Sequence, residues 1–399
     1  MKKTIYIALL VLTFFGLTKI HTINKKPKIL HLGFHKGCLK DFEEVCRTFG
    51  LQVWSWLLPS SSIKVFDGEK AFFIILDKNH KQIPLHTYST KNPTFFDGET
   101  TNFNVYNISH KRAQKVWNCH KDYFNQFDLI VTSDTAPLSR IFLQNNWKKP
   151  LIVWVCNRFD YHHEVDMDCE FPDPEYYYLI NKAATMDNVK IISYTDYEHL
   201  YARNKGVYLG EKVIKPIGLQ EKRIGPEFKS KIPKQINKKE TIFISPRLYG
   251  GKNYAYIKAN LEKQGISHFC GKYNGPEDLK EFKGVLFFPY QASNISLFEN
   301  FQRGIVQFVP SETFLKEKRA TNELQIPFVW YSQEIVCEWY NKENRDYLIY
   351  FNSWEDLQYK IKNTDYEYMR KKIRAFGKKH RETMLQRWKK VFNEIIEGM

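Results

Sequence analysis

Apolar runs of strand length recur along this chain, each followed by a glycine-containing or polar loop and then by residues at helical spacing. Lys28-Ile-Leu-His-Leu-Gly33 is the first such run, closed by Gly33 and Gly37 and followed by helical spacing from Leu39 to Phe49. The pattern returns at Phe127–Val131, with a polar loop at Ser133–Pro137 and a helix over Leu138–Asn145, and again at Leu151–Val155 and Val189–Ser193. Runs without polar alternation are buried on both faces, so the repetition predicts parallel sheets covered by helices on either side. The stretch from Pro59 to Phe103 breaks the rhythm and reads as inserted loops or a small hairpin.

Val213–Gly218 closes the first alternating half. Residues 219–240 carry Pro226, Pro233 and a dense set of lysines and arginines, the composition of a linker. The alternation restarts with strands at Thr241–Ser245, Ile266–Cys270, Gly284–Phe288 and Ile305–Val309, and helices at Tyr254–Lys263 and Ser296–Arg303. Ser353-Trp-Glu-Asp356 has capping-box spacing and opens helical sequence that continues to the end. The organisation read from this is 1–24, a targeting segment; 25–218, a first α/β domain; 219–240, a linker; 241–352, a second α/β domain; and 353–399, a helical tail.

With 399 residues, 16% of them aromatic, the chain has ample apolar side chains for two cores, which excludes a disordered polyelectrolyte. Its formal charge of +16 points to anionic partners rather than to a fold. Ten lysines and arginines lie between Arg370 and Lys390 with Glu382 as the one acid, either a solvated helix face or a patch for a membrane surface. No nucleic-acid motif accompanies the charge, so nucleic acid is not expected as a partner. The seven cysteines contain no CxxC pair, which argues against zinc ribbons and dithiol redox motifs. Lys2 and Lys3 precede the uncharged segment Thr4–Thr18, expected to be a single-pass signal anchor holding the protein at a membrane, with a cleaved signal peptide and secretion as the alternative.

Three segments resemble the GT-B glycosyltransferases. Ser245-Pro-Arg-Leu-Tyr-Gly-Gly-Lys-Asn253 resembles that family's strand followed by Arg-x4-Lys, Phe269-Cys-Gly271 resembles the glycine after the next strand, and Ser296-Leu-Phe-Glu299 with Gly304 resembles its donor loop. Gln291 stands where a two-glutamate subclass carries a second acid, and Val306 where a proline is usual. The resemblance implies two doubly wound Rossmann-like domains facing across a cleft. It implies transfer of a sugar from a nucleotide-sugar, a co-substrate rather than a cofactor, to a hydroxyl of a glycan, lipid or protein acceptor without a metal. Arg247 and Lys252 would meet the donor diphosphate, Glu299 the ribose hydroxyls, and Gly271, Asn294 and Ser296 would complete the donor site.

Transfer with inversion needs a base for the acceptor hydroxyl. His35 follows the first strand, at the end of the sheet where such folds bind ligands, and Asp134 lies in the equivalent loop of a later strand. Arg158 and Asp160 follow the strand ending at Val155, either to hold the acceptor or to pair with each other within the loop. Asp166-Met-Asp168 keeps open a metal-dependent transferase, and a non-catalytic module binding glycan or anionic polymer is the other alternative.

Overall fold

The computed structural model describes residues 26–57, 74–76, 82–84, 108–160, 173–219, 232–244, 251–271, 273, 275–324 and 337–398. The first half comprises β1 (Lys28–Gly33), α1 (Lys36–Thr48), β2 (Gln52–Leu57), a hairpin of β3 (Ile74–Leu76) and β4 (Gln82–Pro84), α2 (His110–Phe124), β5 (Leu129–Ser133), α3 (Arg140–Leu143), β6 (Leu151–Val155), α4 (Pro174–Ala183), β7 (Val189–Ser193) and α5 (Asp196–Asn204). Its five-stranded sheet runs β2-β1-β5-β6-β7, every pairing parallel. Counted among parallel strands this is the 2-1-3-4-5 winding, whose order reverses between β1 and β5. Strands β5 and β6 are buried throughout, as the uninterrupted apolar sequence of β6 requires.

The second half repeats the plan with β8 (Ile242–Ile244), α6 (Gly251–Lys263), β9 (His268–Cys270), β10 (Gly284–Leu286), α7 (Ile295–Arg303), β11 (Gln307–Pro310), α8 (Glu312–Ala320), β12 (Ile349–Phe351), α9 (Trp354–Asn363) and α10 (Tyr366–Glu397). The parallel order β12-β11-β10-β8-β9 is again 2-1-3-4-5, reversing between β8 and β10. The chain therefore has two doubly wound Rossmann-like domains, the GT-B arrangement.

The C-terminal residues are not an appended tail. Ser353 caps α9 by accepting from Asp356 N–H at 3.0 Å, and Asp365 caps α10. Helix α10 is 32 residues long, about 48 Å at the α-helical rise. Its first part joins the second core through Ile373, and Phe376 stacks on Tyr347 at 3.9 Å between ring centroids. Its last part enters the first domain, where Met384, Trp388, Val391, Phe392 and Ile395 pack with Phe42 and Trp154. Arginines of its basic stretch are tied to main-chain carbonyls: Arg370 to Lys280 at 2.7 Å, Arg381 to Gly218 at 3.1 Å, and Arg387 to Val213 at 2.9 Å. The basic cluster thus holds α10 in place in part, rather than being wholly a solvated face.

The expected membrane anchor requires correction. No helix among the described residues is long and apolar enough to cross a membrane, and Thr4–Thr18 lies outside the described residues.

The crossover between domains is bonded on nearly every peptide. Asp41 of α1 accepts from the N–H groups of Ile217 and Gly218 at 3.1 and 3.2 Å. Carbonyl groups of Pro216, Ile217 and Leu219 accept from His380, Gln302 and Arg303. Gly218 has φ +71°, and a Cβ there would stand 2.7 Å from the Phe298 carbonyl oxygen, so only glycine fits. Lys215 bridges to Glu338 at 3.1 Å and to Glu343 at 2.9 Å, tying the crossover to the second domain.

His380 stacks on Phe298 at 4.5 Å, and burial pushes its imidazole down to about 4. The unfolded chain accepts a proton there below its ordinary value of 6.5, whereas the folded chain refuses it until pH 4, so this residue removes stability as the solution is acidified. Buried carboxyls with raised values, Glu198 at about 8 among them, act in the opposite sense, and the signature is therefore a difference between proteins. Relative to wild type, His380→Gln should gain about 1.5 kcal/mol between pH 6.5 and pH 5, read from urea midpoints. An unchanged difference would show that the imidazole is charged in the fold.

Candidate functional site

Ligands of doubly wound sheets bind beyond the strand C-termini, where the order reverses. In the first domain that point lies between the loops after β1 and β5. A Cβ at Gly33 would meet Ser133 Oγ at 2.7 Å, so the bare glycine lets β1 and β5 lie against each other at their ends. Ser133 bonds His31 Nε2 at 2.7 Å, and burial lowers His31 to about 3, which keeps this ring neutral. His35 is the N-cap residue of α1, exposed, and its side chain does not cap the helix.

Asp134 is a non-glycine residue with φ +69°, at the centre of a three-residue turn in which Thr135 N–H donates to Ser133 carbonyl at 2.9 Å. Backbone strain of this kind is held where the surroundings impose it, often at functional sites. Burial raises the Asp134 carboxyl to about 7, the charge of Cys38 pushing it further up and that of His35 drawing it down. His35 and Asp134 therefore stand within electrostatic reach of each other at the switch point.

Two cysteines share this place, and neither is apparent in the sequence. Cys38, in the first turn of α1, lies 3.7 Å from His35 Nδ1 and next to the thiol of Cys156, the residue directly after β6, whose Sγ donates to the Trp154 carbonyl at 3.5 Å. These neighbours, Cys156 first of all, bring the Cys38 thiol down to about 6 against the opposing effect of burial. Cys156 is driven up by burial and by the adjacent Cys38, and its sulfur also accepts from the Asp134 N–H. Application of the strand-end rule to β6 and to the first turn after β1 would have found both residues.

Asp160 is turned inward rather than toward a ligand. Asp160 is fully buried, its Oδ2 accepting from Lys205 Nζ at 2.7 Å and from the Tyr177 hydroxyl, so it secures its own loop against α4 and α5. Arg158 faces Tyr197 and Glu198 of α5, where burial raises the Glu198 carboxyl to about 8 and the arginine opposes that rise.

In the second domain the switch point lies between the loop after β8, which holds Arg247 outside the described residues, and residues 287–294. Lys252 is exposed in the first turn of α6, and Gly271 follows β9 against the Phe269 ring. Asn294 is the N-cap residue of α7 but does not cap it, because its Oδ1 accepts from Trp339 Nε1 at 3.2 Å. Trp339 is itself fixed by stacking on Phe287 at 4.0 Å. Ser296 is half-buried in the first turn, and Ser293 Oγ beside it is buried without a partner. Glu299, one turn further, is buried and lies within electrostatic reach of Asp41 and Tyr194 of the first domain.

The two switch points meet. A Cβ at Gly37 would stand 2.8 Å from Ile295 Cδ1, so the start of α1 abuts the start of α7. Both helices begin without a side-chain cap, and the positive ends of their dipoles meet at this point. Among the described residues no group of His, Cys, Asp or Glu could hold a metal ion, and Asp166 and Asp168 lie outside them.

No protein-family model matches the chain, and no curated protein sequence matches it. Solved structures similar in fold include Arabidopsis thaliana UGT89C1 complexed with UDP, at 12% identity, a TM-score of 0.43, and coverage of 91% of this chain and 100% of that one. The glycosyltransferase SnogD from Streptomyces nogalater is similar at 9% identity and a TM-score of 0.45, over 91% and 98% of the two chains. A putative UDP-N-acetylglucosamine 2-epimerase from Listeria monocytogenes is similar at 9% identity and a TM-score of 0.46, over 93% and 98%.

Proposed function

We propose that this protein is a glycosyltransferase that moves a sugar from a nucleotide-sugar to a hydroxyl of a glycan, lipid or protein, without a metal. The observation that carries this reading is the meeting of two uncapped helix starts, α1 and α7, at facing switch points with a near-neutral carboxyl beside them. A diphosphate leaving group gathers negative charge as the sugar bond breaks, and preorganised N–H groups and dipoles stabilise it without reorganisation. In this reading Ser296 and Asn294 present the α7 start to the phosphates, Lys252 and Arg247 add cationic charge, Gly271 leaves room for the nucleotide, and Glu299 accepts from the ribose hydroxyls. Asp134 takes the proton of the attacking hydroxyl, His35 orients the acceptor and tunes that carboxyl, and Arg158 flanks the acceptor side.

The test is binding followed by turnover. A nucleoside diphosphate at a hundredfold excess over its dissociation constant should stabilise the protein by about 2.7 kcal/mol, with EDTA making no difference. Lys252→Ala and Glu299→Ala should each weaken that binding tenfold or more, about 1.4 kcal/mol. Stabilisation by none of the common nucleoside diphosphates would overturn the donor site. Binding without any donor hydrolysis or transfer would leave a binding module instead.

A further inference from the structure

We infer that Cys38 and Cys156 are a peroxide-oxidisable dithiol built into the acceptor side of the crevice, Cys38 being the thiolate that is oxidised and Cys156 the thiol that resolves it. The pair comes from different elements, the first turn of α1 and the end of β6, and the fold packs the two thiols side by side in one cluster, Cys156 being further fixed by its bond to the Trp154 carbonyl at 3.5 Å. Three features activate Cys38: the positive end of α1, His35 Nδ1 at 3.7 Å, and the adjoining Cys156 thiol. The other described cysteines lack this setting. Cys46 and Cys337 are buried in cores, Cys119 is exposed on α2, and Cys270 is half-buried at the end of β9, where burial pushes its thiol up.

The geometry also selects the oxidant. Cys38 is only 4% exposed, which excludes a bulky disulfide and leaves an oxidant as small as hydrogen peroxide, whereas Cys156 is half-buried. The Cys38 sulfur attacks one peroxide oxygen, the O–O bond breaks, and the other oxygen leaves as water once protonated. Sulfur loses two electrons and becomes a sulfenic acid. The Cys156 sulfur then attacks the Cys38 sulfur, the S–O bond breaks, and a second water leaves with the Cys156 proton as the disulfide forms. A dithiol reductant returns both electrons. The bond removes the negative charge that holds the Asp134 carboxyl up, so oxidation should move the pH dependence of turnover to lower pH. That last consequence rests on the glycosyltransferase reading, and the chemistry at sulfur does not.

The experiment treats the full chain with a small excess of hydrogen peroxide at pH 7, alkylates the remaining thiols and maps peptides by mass. The expected result is a Cys38–Cys156 cross-linked peptide, about 2 Da lighter than its two reduced parts together and reversed by dithiothreitol. Cys38 should be oxidised at least about tenfold faster than Cys119. In Cys156→Ser the sulfenic acid should persist on Cys38 and be trapped by dimedone. Oxidation of Cys119 or Cys169 ahead of Cys38, or a Cys38 sulfenic acid that persists in wild type without a cross-link, would overturn the inference whatever the turnover assays show.

Discussion

Asp134→Asn should lower kcat/KM for sugar transfer by about 10²–10⁴-fold, the usual contribution of a positioned general base. The change keeps size and shape at a left-handed position that asparagine tolerates, so the fold and nucleoside diphosphate binding should persist. The pH profile gives the sharper readout. Burial holds the Asp134 carboxyl at about 7, so below that pH it is protonated and cannot accept the hydroxyl proton. Wild-type kcat/KM should rise through neutrality to a plateau, and Asp134→Asn should lose that rise. His35→Gln should keep it but shift it upward, because the imidazole charge that lowers the carboxyl is gone. A rise that persists in Asp134→Asn and disappears in His35→Gln would transfer the base role to His35.

Gly377→Leu should destabilise the protein by about 3 kcal/mol or more, beyond the usual cost of overpacking. Glycine within a helix ordinarily costs about 1 kcal/mol relative to alanine, so its presence in the middle of α10 requires a reason. A Cβ at this position would stand 2.5 Å from the carbonyl carbon and oxygen of Phe301 and 2.7 Å from Gln302 N. These are backbone atoms of α7 and cannot rotate aside. The reciprocal contact is Gly304, whose Cβ would meet the Arg370 carbonyl oxygen at 2.5 Å, so the two helices cross with both backbones bare. A larger side chain moves α10 away and with it the His380, Arg381 and Arg387 bonds to the crossover. The urea midpoint should fall accordingly, and a midpoint within error of wild type would mean that the helices do not cross this closely.

What could be read in advance followed local chemistry. Strands β1, β6 and β7 fall on the residues read from their continuous apolar runs. The apolar run Phe127–Val131 lies two residues ahead of β5, because hydrophobicity ends at Val131 while Thr132 and Ser133 continue the strand fully buried. Their burial depends on a non-local partner, His31 for Ser133, which one-dimensional pattern cannot display. The helix after β1 likewise begins ahead of its helical spacing at Leu39, because Gly37 reads as loop, although the close approach of Ile295 is what demands a glycine there. His35 and Asp134 were legible because strand-end loops have a known geometry. Asp160 shows the converse, since its partner Lys205 arrives from the end of α5, far along the chain, where local pattern cannot display it. The anchor was read from residues that the structure does not describe, and no described helix could serve as one.

The last helix also sets a timetable for synthesis. The wall of the first domain formed by Phe42 and Trp154 is completed by Trp388 and Phe392, with rings 5.2 Å apart between Phe42 and Trp388. At a ribosomal pace of about 5–20 residues per second, the whole second domain must emerge before that wall is covered, a delay on the order of ten seconds or more. The amino-terminal half is thus made first but finished last, and throughout that interval its greasy flank is open to chaperones.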